Sequence, residues 1–176
     1  MFGAENYGMK EIMRRLIRHA APIFLATAAM FGVFVVTPSQ TVVAKSTPFD
    51  SLLGSWRGTG KIQLTSGQER LSCNAYYTGG GKKLGMAIRC KSDTSKVEIR
   101  SKLSLSGSRI SGSWEERTYN ASGKATGTAK PGRISIRVTG GVSGTMNVSY
   151  SGSRQTVSIS TQGIALKSVS ISLTRS

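Results

Sequence analysis

Histidine is nearly missing from this chain. The single copy is His19, inside an N-terminal segment with the marks of an export signal. Beyond that segment no Ser-His-Asp or Cys-His arrangement can be assembled, and no histidine-bearing metal site. Carboxylates are scarce too: after residue 44 only Asp50, Glu69, Asp93, Glu98, Glu115 and Glu116 remain. Glu115 and Glu116 are neighbours on a candidate strand, so they point to opposite faces and cannot share acid and base roles. Gly79-Gly80-Gly81-Lys82-Lys83 has the wrong spacing for a phosphate cradle and no helix follows, so it reads as a hairpin turn. These absences leave no candidate catalytic residue, no metal site and no cofactor, and the expected function is non-enzymatic.

Helical periodicity is also absent from Leu52 onward. The one long apolar run lies at the N-terminus. Lys10, Arg14, Arg15 and Arg18 precede an almost uncharged stretch, Ala20 to Val36, and small residues follow at Val42 and Ala44. A charged region, an apolar region and a small-x-small site describe a secretory signal helix, with cleavage expected after Ala44. The alternative is an uncleaved inner-membrane anchor, since about 17 apolar residues sit at the lower limit for crossing a bilayer. Pro38 and the small residues favour cleavage. Either way the remainder is expected in the periplasm or secreted.

Cleavage removes four of 24 basic residues and two of eight acidic ones (Glu5, Glu11), leaving a net charge of +14. A field of that sign attracts polyanions and anionic membrane surfaces. The expected organisation is a signal at 1–44, a linker at 45–51 and one domain at 52–176.

The domain reads as ten short strands separated by glycine-rich turns, the pattern of an antiparallel all-β barrel or sandwich. The expected strands are 54–64, 70–78, 83–91, 96–105, 109–119, 124–129, 133–139, 143–151, 155–161 and 166–174. A hairpin about Gly80–Gly81 sets Cys73 opposite Cys90, Ala75 opposite Ile88 and Tyr77 opposite Met86. A turn at Ser92–Ser95 pairs Cys90 with Val97, Ile88 with Ile99 and Leu84 with Leu103. Side chains alternate with period two, so one register gathers all these apolar residues on one face. It predicts a Cys73–Cys90 disulfide, which suits an exported domain. The opposite face carries Lys83, Arg89, Lys91, Lys96, Arg100 and Lys102, with Arg89 facing Glu98. A membrane barrel is disfavoured because the strands are short and aromatic girdles are missing.

Leu53 to Gly60 reads L-G-x-W-x-G-x-G, with Gly54, Trp56, Gly58 and Gly60 on one face. This resembles the first strand of lipocalin-like barrels, the calycin group, and in particular the nitrobindin and fatty-acid-binding-protein shape. The two cysteines 17 apart, S-G-x-W-x-E at Ser111–Glu116 and N-x-S-G at Asn120–Gly123 also resemble a pattern in small exported Gram-negative proteins. That second resemblance carries no activity with it. Nitrobindin-like barrels hold haem through a late-strand histidine, which this domain lacks, so haem binding is not implied.

The resemblance implies a single ten-stranded barrel that binds a small apolar or amphipathic molecule. The expected interior site is Trp56, Tyr77, Met86, Trp114, Glu116 and Met146. Gly123, Ala125, Gly127 and Ala129 are expected to leave space for it. Glu116 is expected opposite Gly127, either pointing inward as a polar anchor or turned out by a bulge. The competing reading is an envelope protein that binds an anionic partner (lipopolysaccharide, anionic lipid or an acidic protein) through the basic face. Inhibition of an exported enzyme is a third. Nucleic acid is disfavoured because, Tyr76 apart, exposed aromatics do not interleave with the basic residues.

Overall fold

A computed structural model describes residues 45–176. The segment read as a signal, residues 1–44, lies outside the described residues. A short 3₁₀ turn, Asp50–Leu52, leads into ten strands: β1 (Gly54–Leu64), β2 (Gly67–Gly80), β3 (Lys83–Lys91), β4 (Lys96–Ser106), β5 (Arg109–Glu116), β6 (Ala121–Lys130), β7 (Arg133–Gly140), β8 (Ser143–Ser151), β9 (Arg154–Gln162) and β10 (Leu166–Arg175). Each strand pairs antiparallel with the next, and β1 closes on β10 from Trp56–Arg175 to Leu64–Leu166. Closure leaves no strand edge unpaired, which removes the usual route to edge-to-edge association.

Period-two alternation decides which residues enter the barrel. In β3 the buried positions are Leu84, Met86, Ile88 and Cys90; in β4 they are Val97, Ser101, Leu103 and Leu105. The expected register of β2, β3 and β4 is present: Ala75 faces Ile88, Tyr77 faces Met86, and Ile88 faces Ile99. Cys73 and Cys90 face each other and are disulfide-bonded.

The β5–β6 hairpin differs from expectation. β5 stops at Glu116 and β6 starts at Ala121, so Glu116 pairs with Ala121 and Trp114 with Gly123, while Gly127 faces Ile110. The turn is residues 117–120, three residues earlier than expected, and it closes with Asn120 in the left-handed conformation at φ 54°. Asn tolerates that region better than most side chains. Glu116 helps close the turn: one carboxylate oxygen accepts the Tyr119 N–H at 2.6 Å and the other accepts the Glu98 N–H at 2.8 Å.

One end of the barrel is plugged. Phe49 and Leu52 are completely buried, and the Trp56 indole N–H donates to the Leu52 carbonyl at 2.8 Å. The Arg175 guanidinium stacks 4.3 Å from the Trp56 ring and donates to the Ser51 and Leu53 carbonyls. The Asp50 carboxylate accepts the Thr47 N–H at 2.6 Å and the Gly81 N–H at 2.7 Å. The Tyr150 hydroxyl donates to the Pro48 carbonyl at 2.6 Å. Part of the segment expected as a linker thus seals this end, tied down by groups from β1, β8, β10 and the β2–β3 turn.

Candidate functional site

The opposite end of the barrel holds a cavity of about 420 Å³. Its floor is set by Ile62, Ser101, Trp114, Ile136, Met146 and Ile159, two to five positions in from the strand ends. Its mouth lies among the β1–β2, β5–β6, β7–β8 and β9–β10 turns, where Leu64, Tyr119, Val142 and Ile164 line it. Tyr119 is 71% exposed, so the cavity reaches solvent there. The volume falls within the roughly 300–1,000 Å³ of small-molecule sites, and the lining is predominantly apolar, as in such sites.

Few polar groups face this space. Ser101, Thr145 and Thr161 contribute hydroxyls, and Glu116 is the one carboxylate. No lysine or arginine lines the cavity. The Trp114 indole N–H donates to the Thr139 carbonyl at 3.1 Å, which fixes the ring across the β6 strand that separates them in the sheet.

The six residues expected in the interior site divide into two groups. Trp114, Glu116 and Met146 line the cavity; Trp56, Tyr77 and Met86 do not. The last three are buried in the packed half. Trp56 lies against the plug, and the Tyr77 hydroxyl accepts the Gln155 amide N–H at 2.7 Å. Burial pushes the Tyr77 phenol well above its ordinary pKa.

The small residues of β6 do not supply the space. None of Gly123, Ala125, Gly127 and Ala129 lines the cavity. A Cβ on Gly123 would lie 1.8 Å from the Thr139 carbonyl oxygen, and one on Gly127 2.0 Å from that of Ser135. These glycines are needed because β7 backbone passes over them. Among the described residues no second plug fills this end, and the space lies there.

The outward basic residues are placed unequally. Glu98 lies among them: its carboxylate is 2.7 Å from Arg100 Nη2 and 3.4 Å from Arg89 Nε. The Arg100 hydrogen bond, and secondarily the Arg89 charge, hold the Glu98 carboxyl below the ordinary range. Arg89 also lies 5.8 Å from the Tyr76 ring. Lys83 Nζ donates to Ser104 Oγ at 2.9 Å, and Lys102 stands across from Gly85 and Ser113. Lys91 and Lys96 form a directly opposed pair.

Arg89, Lys91, Lys96 and Glu98 line an outer groove of about 480 Å³, together with Arg117 and Thr118 of the β5–β6 turn. Arg117 was not expected in the basic face, because reading β5 through Tyr119 made it an ordinary strand residue. The signal that finds it is Asn120, a residue suited to ending a tight turn.

Among the described residues no three His, Cys, Asp or Glu side chains gather closely enough to hold a metal ion, and no helix is long and apolar enough to cross a membrane.

No protein-family model and no curated protein matches the chain. Solved structures do resemble it. Rv2717c from M. tuberculosis superposes with a TM-score of 0.60 at 13% identity, covering 75% of this chain and 99% of that one. The S-type phycobiliprotein lyase CPES from Guillardia theta superposes with a TM-score of 0.52 at 13% identity, covering 73% of this chain and 90% of that one. Both are ten-stranded barrels of the lipocalin-like kind, and at this identity the likeness establishes the fold class alone.

Proposed function

We propose that this protein is an exported, non-enzymatic, lipocalin-like barrel that holds a small apolar or amphipathic molecule in the open half of its interior. The observation that carries the reading is an asymmetric barrel: a hydrogen-bonded plug at one end and an apolar cavity of about 420 Å³ open at the other. A barrel needed only as a packed scaffold would fill both halves, as small barrels commonly do. The Cys73–Cys90 disulfide suits an oxidising compartment and supports export, together with the N-terminal segment read as a signal.

Native mass spectrometry of the protein as the cell processes it tests this directly. Comparison of native and denatured masses should reveal a processed terminus near Lys45, an intact disulfide and a retained small molecule that survives high salt. A protein without ligand that also fails to take up a neutral apolar fluorophore would count against the reading.

A second reading, an anionic partner bound at the outer face, is favoured by the groove of Arg89, Lys91, Lys96 and Arg117. Such a contact would weaken steeply with ionic strength, whereas an apolar molecule in the interior would be nearly indifferent to it.

A further inference from the structure

We infer that the molecule held in the cavity is an amphipath with an anionic head, and that the head sits outside the barrel on Lys91, Lys96 and Arg117. This rests on the cavity reading above and adds the chemistry of the ligand's polar end.

The interior excludes an anionic head. Its walls offer no lysine or arginine, and a charge buried among Ile99, Ile136 and Met146 would have no partner. The one ionisable carboxyl group at the mouth is Glu116, which bears the same sign as an anionic head. Both of its oxygens already accept backbone N–H groups. An apolar chain can enter, while its charged end is left at the rim.

The rim supplies the cations. The β5–β6 turn is the shared wall of cavity and groove: Glu116 and Tyr119 line the cavity, while Arg117 and Thr118 line the groove. Val97 borders both spaces. A ligand leaving the mouth over this turn therefore meets Arg117, with Lys91 and Lys96 in the same groove.

Those three cations are poised for an anion. Lys91 and Lys96 are direct cross-strand partners on the outward face. Like charges so placed repel, and an anion between them relieves the repulsion. The ion pairs among the described residues are both made by Glu98, with Arg89 and Arg100, so no carboxylate neutralises Lys91, Lys96 or Arg117. Ser72, Asn74 and Thr118 add neutral hydrogen-bonding groups to the same groove. A phosphate, sulfate or carboxylate head fits this set. A cationic head would meet three like charges.

The test is displacement of the neutral fluorophore N-phenylnaphthylamine by dodecyl phosphate, dodecanol and dodecyltrimethylammonium, each below its micelle threshold or solubility limit. At low salt dodecyl phosphate should displace at about tenfold lower concentration than dodecanol, as expected of a few exposed charge contacts acting together. The gap should close as salt rises, and the ammonium compound should be weakest. The triple variant Lys91→Gln, Lys96→Gln, Arg117→Gln should shrink the gap to about twofold. The charge-conserving Lys91→Arg, Lys96→Arg, Arg117→Lys should keep it, provided circular dichroism shows both variants folded.

Calorimetry with inorganic phosphate alone should give no saturable heat in the micromolar range, because the head is held through its chain. Saturable binding of free phosphate would overturn the inference and make the groove a separate anion site. Equal potency of the three amphipaths, or a gap unchanged in the glutamine variant, would overturn it while leaving the cavity reading intact. Failure of the fluorophore itself to bind would sink the cavity reading and this inference with it.

Discussion

Reduction of the Cys73–Cys90 disulfide should destabilise the barrel by about 3 kcal/mol, from the loop-closure entropy of two residues 17 positions apart. The bond ties β2 to β3 through a hairpin whose register is already set by Ala75–Ile88 and Tyr77–Met86, so it acts mainly by restricting the unfolded chain. For a domain of this size that corresponds to a fall in Tm of roughly 10 °C. The cleanest comparison is the same protein with and without a phosphine reductant, melted by circular dichroism or calorimetry. It removes the covalent link and no atoms from the core. Cys73→Ala/Cys90→Ala should fall further, because both sulfurs are buried and their loss leaves a cavity. A fall of less than about 3 °C on complete reduction, with thiols quantified, would mean that the unfolded chain gains little freedom from losing the link.

Three other outcomes follow from particular contacts. Val138→Trp places a large ring in the cavity; fluorophore affinity should drop at least about tenfold while stability changes by less than about 1 kcal/mol, since the space is already there. Gly127→Ala sets a Cβ 2.0 Å from the Ser135 carbonyl oxygen and should destabilise by about 3 kcal/mol or more in chemical denaturation, whereas Gly107→Ala, with nothing within 4 Å, should lose only the roughly 1–2 kcal/mol of a left-handed alanine. The Asp50 carboxyl is held below its ordinary value, chiefly by the Thr47 and Gly81 backbone N–H groups. Its folded pKa lies below the unfolded one, so its contribution is present above about pH 4 and is lost as pH falls through the folded value. Asp50→Asn should therefore lower Tm at neutral pH and flatten the acid limb of the Tm–pH curve.

The central strands were legible because their residues carry redundant parity. Cys73, Ala75 and Tyr77 in β2, then Met86, Ile88 and Cys90 in β3, all demand one face, and a slip by one residue would expose every one of them. The β5–β6 turn was not legible in the same way. Asn120-Ala121-Ser122-Gly123 looks like a turn in its own right, and Tyr119 looks like a strand residue, yet the chain turns three residues earlier and pairs Ala121 through Gly123 with β5. The plug was hidden because residues 45–51 have the composition of a linker. What makes them a plug is Phe49 and Leu52 reaching the barrel end, held by partners as distant as Gly81, Tyr150 and Arg175. The cavity was misplaced for a related reason. Small residues on β6 suggested space, but glycine in a tightly coiled sheet more often marks where a neighbouring backbone passes. Trp114, Glu116 and Met146 line the cavity and share its parity; which half of the barrel is packed cannot be read from parity.

Energy transfer from tryptophan to bound N-phenylnaphthylamine tests the central claim most directly, because the two tryptophans mark the two ends. Trp114 lines the cavity and Trp56 lies under the plug at the other end. Saturable transfer is expected, largely lost in Trp114→Phe and largely kept in Trp56→Phe. No saturable binding, or transfer that disappears with Trp56 and survives without Trp114, would contradict a ligand site in the open half of the barrel.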